Sequence, residues 1–473
     1  MQRVAVLFLA ACCAFAATPV AGSDPEPLFR VQRLTDRVFV FTELSPWESN
    51  HVVIDSAEGL VLVDPGHTAL MGRLIRDAVA RELGRDRFAY IIDTHGHWGH
   101  AWGNAAFPEA VVVGHEQAAE TMRTDAANLE RRAEFFRGQL GQTEARLGEL
   151  DPDSEEAATA RLERDHLDRI VRGLEETGFA VQLPRLTFSD RLRLDLGDLQ
   201  LEMLFLGAGH SYSDIAVLIP EEKVLLMGCF FLNRGSLPYF GTRPNLEPDR
   251  WLAAFDGLLG EETAIDHVVL GQHSVWPRER LAAMRDYIAR LWSEVRAIDA
   301  EGVGFETAMT RLPLPPELEF LRDSGASEED LQQMHRFEAT ALWRQLKESA
   351  AAEVELAINS GGAAAGVALF EEMAARDDSD VYFDEAEFNL LGYRFLGLER
   401  IDDAIAVFQL NVNRFPDSWN VYDSLGEAYA AKGNSKRAIE LYRRSVELNP
   451  DNTNGADAIE RLQAQHPDAP AES

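Results

Sequence analysis

Three of the chain's 12 histidines fall in one short stretch, Asp93-Thr94-His95-Gly96-His97-Trp98-Gly99-His100. Two imidazoles two positions apart on a loop, with a third three further on, can turn toward a common point. Neutral imidazole is a favoured ligand of zinc and related ions, so this spacing points to a metal site. Taken alone, the stretch also fits a His-rich surface loop. Just upstream, Phe88-Ala89-Tyr90-Ile91-Ile92 reads as a buried strand, which puts the histidines where a strand gives way to a loop. Three more candidate ligands also follow apolar runs closely: His210 in Gly209-His210-Ser211, Cys229 after Gly228, and His273 in Gly271-Gln272-His273. Ligands gathered at strand ends from distant parts of a chain are what a site along one edge of packed sheets requires.

The elements that must position these residues are legible as alternating patterns. Val38-Phe39-Val40-Phe41, His51-Val52-Val53-Ile54 and Leu60-Val61-Leu62-Val63 are short strands, separated by breaks such as Asp55-Ser56-Ala57-Glu58-Gly59. Asp64-Pro65-Gly66-His67 ends the third run, and residues 70–83 have helical spacing. From about 116 to 177 the chain turns charged and rich in alanine and leucine, with Asp151-Pro152-Asp153-Ser154 breaking it midway. That reads as a helical hairpin inserted between β segments, its charges forming a solvated face. Strands resume at Arg191–Leu196 and Leu199–Met203 around a Gly197-Asp198 turn, then at 215–219 and 223–227. Residues 278–350 look helical.

The tail repeats itself. Leu391-Gly392, Ala404, Phe408 and Pro416 recur 34 residues on as Leu425-Gly426, Ala438, Tyr442 and Pro450. That period and those residue types resemble tetratricopeptide repeats, in which helix pairs stack into a solenoid. Residues 363–375 fit the last helix of a degenerate earlier repeat.

Composition narrows the function. A length of 473 residues suits two to three domains, and a net charge of −34 argues against nucleic acid or anionic membrane as a partner. Met1-Gln2-Arg3 and the apolar run from Val4 to Ala17 have the layout of a secretory signal peptide over residues 1–22. The expected location is therefore periplasmic or secreted. Leu9-Ala10-Ala11-Cys12 also resembles a lipobox, so a membrane is expected as a partner only if Cys12 is lipidated. With Cys12 and Cys13 in that region, Cys229 is the single cysteine of the body and no internal disulfide can form.

Over residues 28–300 the order of motifs resembles the metallo-β-lactamase superfamily. Asp64 comes first, then the histidine loop, Gly209-His210-Ser211, Gly228-Cys229, and a late glycine/histidine turn. The resemblance implies an α/β chain with the αβ/βα sandwich of that family, carrying the helical insertion at 116–177. Beyond it come a helical connector over 301–360 and an all-α repeat region over 361–465. It also implies one or two Zn2+ ions. His95, His97 and His210 match the family's three-histidine set, and His100, Cys229 and His273 are the candidates for a second ion. Iron or manganese can take such positions too.

Two departures stand out. Gly99 occupies the place of the loop aspartate, and the late histidine falls at Gln272 or His273 depending on how Gly271 is aligned. The expected activity is hydrolysis of an ester, lactone, thioester or amide of a small molecule by metal-activated water. With the loop carboxylate gone, His100 is the candidate general base if no second ion binds. The competing reading is a degenerate metal domain acting as a scaffold, with the repeat tail binding a protein or peptide. Asp64 is expected to brace the histidine loop. His67, His115 and Asp214 are expected near the site as turn or supporting residues, and Trp98 and Trp102 in its wall or in the core. His166, His335 and His466 are expected at the surface.

Overall fold

The structure is a computed structural model that describes residues 28–231, 246–273, 275–303, 305–315, 318, 327–375 and 380–465. The signal-like region 1–22, with Cys12 and Cys13, lies outside the described residues, and so does His466. The described residues divide into two compact units, one within 28–295 and 311–342, the other within 296–310 and 343–465.

The first unit is built on two sheets. Strands β1 (Phe29–Arg33), β2 (Val38–Glu43), β3 (Asn50–Ser56), β4 (Gly59–Val63), β5 (Phe88–Asp93), β6 (Val111–His115) and β7 (Leu186–Phe188) form one sheet in chain order. Strands β8 (Arg191–Asp195), β9 (Gln200–Phe205), β10 (Ile215–Ile219), β11 (Val224–Leu226), β12 (His267–Val269) and β13 (Val275–Trp276) form the other.

Alternation sets the layers, because successive strand side chains face opposite ways. Val38, Val40, Val52, Ile54, Val61 and Val63 turn inward and meet Leu201, Met203, Ile215, Val217 and Leu226 of the opposing sheet. Phe39, Phe41, Val53, Leu60 and Leu62 turn outward onto helix α1 (Ala69–Leu83). Each such aliphatic or aromatic side chain contributes roughly 1.5–3 kcal/mol when fully buried. This double coverage explains why these strands read as near-continuous apolar runs.

Strand direction then fixes where the chemistry sits. β4, β5 and β6 are mutually parallel, so their C-terminal ends, carrying Asp64, Thr94-His95 and His115, emerge along one edge. In the second sheet β9 and β11 are both antiparallel to β10, and β11 is parallel to β12. The segments after β9, β11 and β12 therefore leave on one side too. Those segments carry His210, Cys229 and His273.

Helix α2 is the short turn Trp98–Ala101 that follows the histidine loop; the insertion itself forms α3 (Ala118–Ala127), α4 (Leu129–Glu149) and α5 (Glu155–Leu174). Ser154 caps α5, its side chain accepting from the Ala157 N–H, which explains the break at Asp151-Pro152-Asp153-Ser154. The insertion is not a wholly solvated appendage. His166, Leu167, Ile170 and Val171 form a buried stripe on α5.

The second unit stacks helix pairs: Ala350–Gly361 with Ala363–Ala375, Glu385–Gly397 with Ile401–Arg414, and Trp419–Ala431 with Ser435–Leu448, followed by Thr453–Gln465. The repeated glycine and aromatic have one cause. A Cβ on Gly392 would lie 2.4 Å from the Phe408 ring, and one on Gly426 would lie 3.3 Å from the Tyr442 ring. Each glycine lets its helix close on the partner's aromatic.

Gly392→Ala should therefore lower stability, because overpacking costs ~1–3 kcal/mol and the gain in helix propensity is only about 1 kcal/mol. Gly138→Ala, within α4 where a Cβ meets nothing within 4 Å, should instead stabilise by up to ~1 kcal/mol. Denaturant midpoints for the two variants check this; equal shifts of the same sign would contradict it.

Candidate metal centre

The histidine loop begins where β5 ends, and its backbone is held by one carboxylate. Asp64 follows β4 in a left-handed conformation, φ 58°. Its Oδ1 accepts from the Thr94 N–H at 2.9 Å and its Oδ2 from the Thr94 hydroxyl at 2.7 Å. The Thr94 hydroxyl has a single proton, and it goes to Asp64. At the 3.1 Å contact between Thr94 Oγ1 and His95 Nδ1, the hydroxyl must then accept from the ring N–H. That fixes the His95 tautomer and leaves its lone pair on Nε2, the state a metal ligand needs.

His97 and His210 complete the first group. His97 Nδ1 and His210 Nε2 are 3.1 Å apart, and the ligand atoms of His95, His97 and His210 all lie within 4.8 Å of one another. Two nitrogens each ~2.0–2.1 Å from one tetrahedral ion stand roughly 3.3 Å apart, so this spacing suits zinc. His95 is fully buried whereas His97 and His210 are half-buried, which leaves one side of the group open.

His95 also belongs to a second group with His100 and Cys229. His100 Nε2 is 3.1 Å from Cys229 Sγ, and His100 Nδ1 is 3.2 Å from Asp64 Oδ2. A carboxylate behind a ligating histidine is the usual way its ring is oriented. Burial pushes the Cys229 thiol up, partly offset by His100 beside it, so a cation rather than bulk pH would be needed to hold it as thiolate. Gly228 makes this approach feasible: its φ is 52°, and a Cβ there would lie 2.5 Å from Thr94 Oγ1. The two groups share one atom, since His95 has a single ring nitrogen with a lone pair to give. One ion can have it, which leaves the other position with His100 and Cys229.

His273 is not drawn into either group. Its Nδ1 is 2.9 Å from Glu48 Oε2, and its backbone N–H donates to the Glu48 carbonyl at 2.9 Å. Their hydrogen bond holds the Glu48 carboxyl below the usual carboxylate range. Gln272 makes an isolated β-bridge with Ser49. Gly99 lies in α2, where a Cβ would meet nothing within 4 Å.

The supporting residues fall out as follows. Asp214 closes the turn after His210, its carboxylate accepting from the Ser211 N–H at 2.6 Å and hydroxyl at 2.7 Å. His115 stacks on Phe205, 3.9 Å between centroids. Trp98 and Trp102 pack toward the insertion, against Phe136 and Phe179 respectively. Two expectations need correction. His166 and His335 are not at the surface; both are buried, His166 against Glu43 and His335 against the Tyr287 hydroxyl at 2.9 Å. Glu43, at the end of β2, drew no attention in the sequence. The apolar stripe Leu167, Ile170 and Val171 was the signal that the face of α5 bearing His166 turns inward.

Comparison with known proteins agrees with this architecture. Residues 44–266 match the metallo-beta-lactamase superfamily and residues 419–452 match a tetratricopeptide repeat. The first match falls on the two-sheet unit and the second on the stacked helix pairs. A double mutant of the sec-alkyl sulfatase PisA1 superposes with a TM-score of 0.51 at 17% identity, over 92% of this chain and 62% of that one. The stereoselective inverting sec-alkylsulfatase Pisa1 from Pseudomonas sp. gives 0.48 at 16%, over 91% and 65%. A metallo-beta-lactamase from Pontibacter korlensis gives 0.38 at 16%, over 55% and 99%. This chain thus spans less than two thirds of the alkylsulfatase chains, and the likeness is one of fold. No curated protein matches it.

Asp64→Asn keeps the size and tolerates the left-handed backbone but can no longer accept through both atoms. Zinc affinity should fall ~10–100-fold, as for other residues that orient metal ligands. Competition with a chromophoric chelator measures it, and unchanged affinity would contradict the bracing role.

Proposed function

We propose that this protein is an exported, metal-dependent hydrolase acting on a small-molecule ester, lactone, thioester or amide. The observation that carries the reading is the His95/His97/His210 group, in which a hydrogen-bond relay from Asp64 through Thr94 aims the His95 lone pair. A buried relay that sets a tautomer has its use in ligation.

Zinc is the ion the donor set fits best. When bound, it makes a coordinated water acidic enough to deprotonate near neutral pH and polarises an acceptor group. The chain's own residues do the rest. His95 anchors from beneath, while His97 and His210 lie at the half-buried side, where a substrate enters. His100 spans Asp64 and Cys229 with both ring nitrogens, which suits it to ligation better than to proton transfer. On this reading a second ion is held by His100 and Cys229 more weakly than the first, because Gly99 supplies no carboxylate and His273 is turned to Glu48. The repeat region serves to bind a protein or peptide partner.

Three variants separate the positions. His210→Ala should lose the tight equivalent of metal and cut kcat/KM by roughly three orders of magnitude, the several kcal/mol that such an ion supplies. Cys229→Ser should remove only a weaker, second equivalent. Gly99→Asp, in open space, should tighten that second equivalent. Metal titration and hydrolysis assays read all three, with a panel of lactone, thioester, amide and sec-alkyl sulfate substrates. Full activity in metal-free His210→Ala protein would refute the proposal.

A further inference from the structure

A third group of ligand-type side chains lies away from the histidine loop. Glu43 ends β2, His67 sits in the turn before α1, and His166 is on α5 of the insertion. All three are buried, at 0%, 3% and 1% relative exposure, and their ligand atoms lie within 4.8 Å of one another. Glu43 Oε1 accepts from His166 Nδ1 at 2.9 Å and from the Arg169 guanidinium at 3.0 Å. The other oxygen, Oε2, has no hydrogen-bond partner among the described residues. Neither does His67 Nε2 or His166 Nε2.

Three unpartnered polar atoms in one buried pocket demand an account. A buried polar atom without a partner costs about 1–3 kcal/mol, so this group as it stands is expensive. Its charges do not explain it, since Arg169 already balances Glu43. The surroundings are apolar: Trp47 packs edge-on to His166 at 4.6 Å, and Trp98 lies 6.2 Å from His67. The backbones pack closely here: a Cβ on Gly173 of α5 would lie 2.3 Å from Thr68 Oγ1, the cap of α1. The insertion is thus pressed against the turn that carries His67.

We propose that Glu43, His67 and His166 form a further metal site, for a divalent ion of the zinc or iron(II) class, that fastens the insertion to the sandwich. Two imidazoles and one carboxylate are a recurrent donor set for those ions. Ligation meets the Glu43 Oε2 and His67 Nε2 lone pairs that the fold otherwise leaves unmet, with His166 exchanging its Nδ1–H bond to Glu43 for ligation through Nδ1, and it joins three segments far apart in the chain. Arg169 stays on Glu43 Oε1 and holds the carboxylate in place.

The test uses the full-length chain with His95→Ala, His210→Ala and Cys229→Ala, which leaves neither group at the histidine loop more than one of its own donors. Loaded with zinc or cobalt(II) and freed of excess, this protein should retain about one equivalent by elemental mass spectrometry. Cobalt should also quench tryptophan fluorescence, given Trp47 beside His166. Adding His67→Gln should abolish both signals while circular dichroism stays unchanged. In the otherwise unmodified chain, His67→Gln alone should lower metal content by one equivalent and lower the melting temperature in zinc below that of the unmodified chain in zinc. Metal absent from the folded variant, or retained after His67→Gln, would overturn the proposal and leave Glu43, His166 and Arg169 as a buried ion-pair network.

Discussion

The structure of the metal centre depends on the Asp64 carboxylate. It stands in a left-handed conformation that costs an L-residue ~1–2 kcal/mol, yet hydrogen bonds to a charged group are each worth about 1.5–3 kcal/mol. Asp64 makes two to Thr94 and a further contact to His100, which offset the strain of the turn. Everything at the site inherits its position from this grip. Thr94 is oriented, Thr94 orients His95, and His100 is turned toward Cys229. β4 and β5 are parallel neighbours, so Asp64 and Thr94 emerge side by side without a long connection.

The same grip limits what the site can hold. His95 is committed through Nδ1 to Thr94 and has one lone pair for two adjacent groups. In one group it joins two histidines; in the other it would join His100 and Cys229. The donors that could settle the second position are missing or diverted: Gly99 has no side chain, and His273 is held by Glu48 in its own left-handed turn. The arrangement is a well-furnished first position beside a sparse second one.

Much of this was legible in the sequence because it is local. The spacing His95-x-His97, the apolar runs on either side, and the glycines before His210 and Cys229 all report on one strand end at a time. The 34-residue recurrence of Gly392/Phe408 in Gly426/Tyr442 reports a helix–helix closure that one repeat already contains. What was not legible requires two distant segments to be known together. His273 could not be assigned because its choice between the metal loop and Glu48 is made in three dimensions. His166 sits among the charges of α5; the stripe Leu167, Ile170 and Val171 marks its face as inward, but what it meets there, Glu43 and the turn at His67, is set in three dimensions. Glu43 was invisible for the same reason: an acidic residue at a strand end carries no sign of what will cover it.

The most direct test of the account is anomalous scattering from crystals of the zinc-loaded protein, collected on both sides of the zinc edge. The account predicts a strong peak within bonding distance of His95, His97 and His210, with a weaker one at most beside His100 and Cys229. No peak at His95, or full density at the His100–Cys229 position alone, would contradict it.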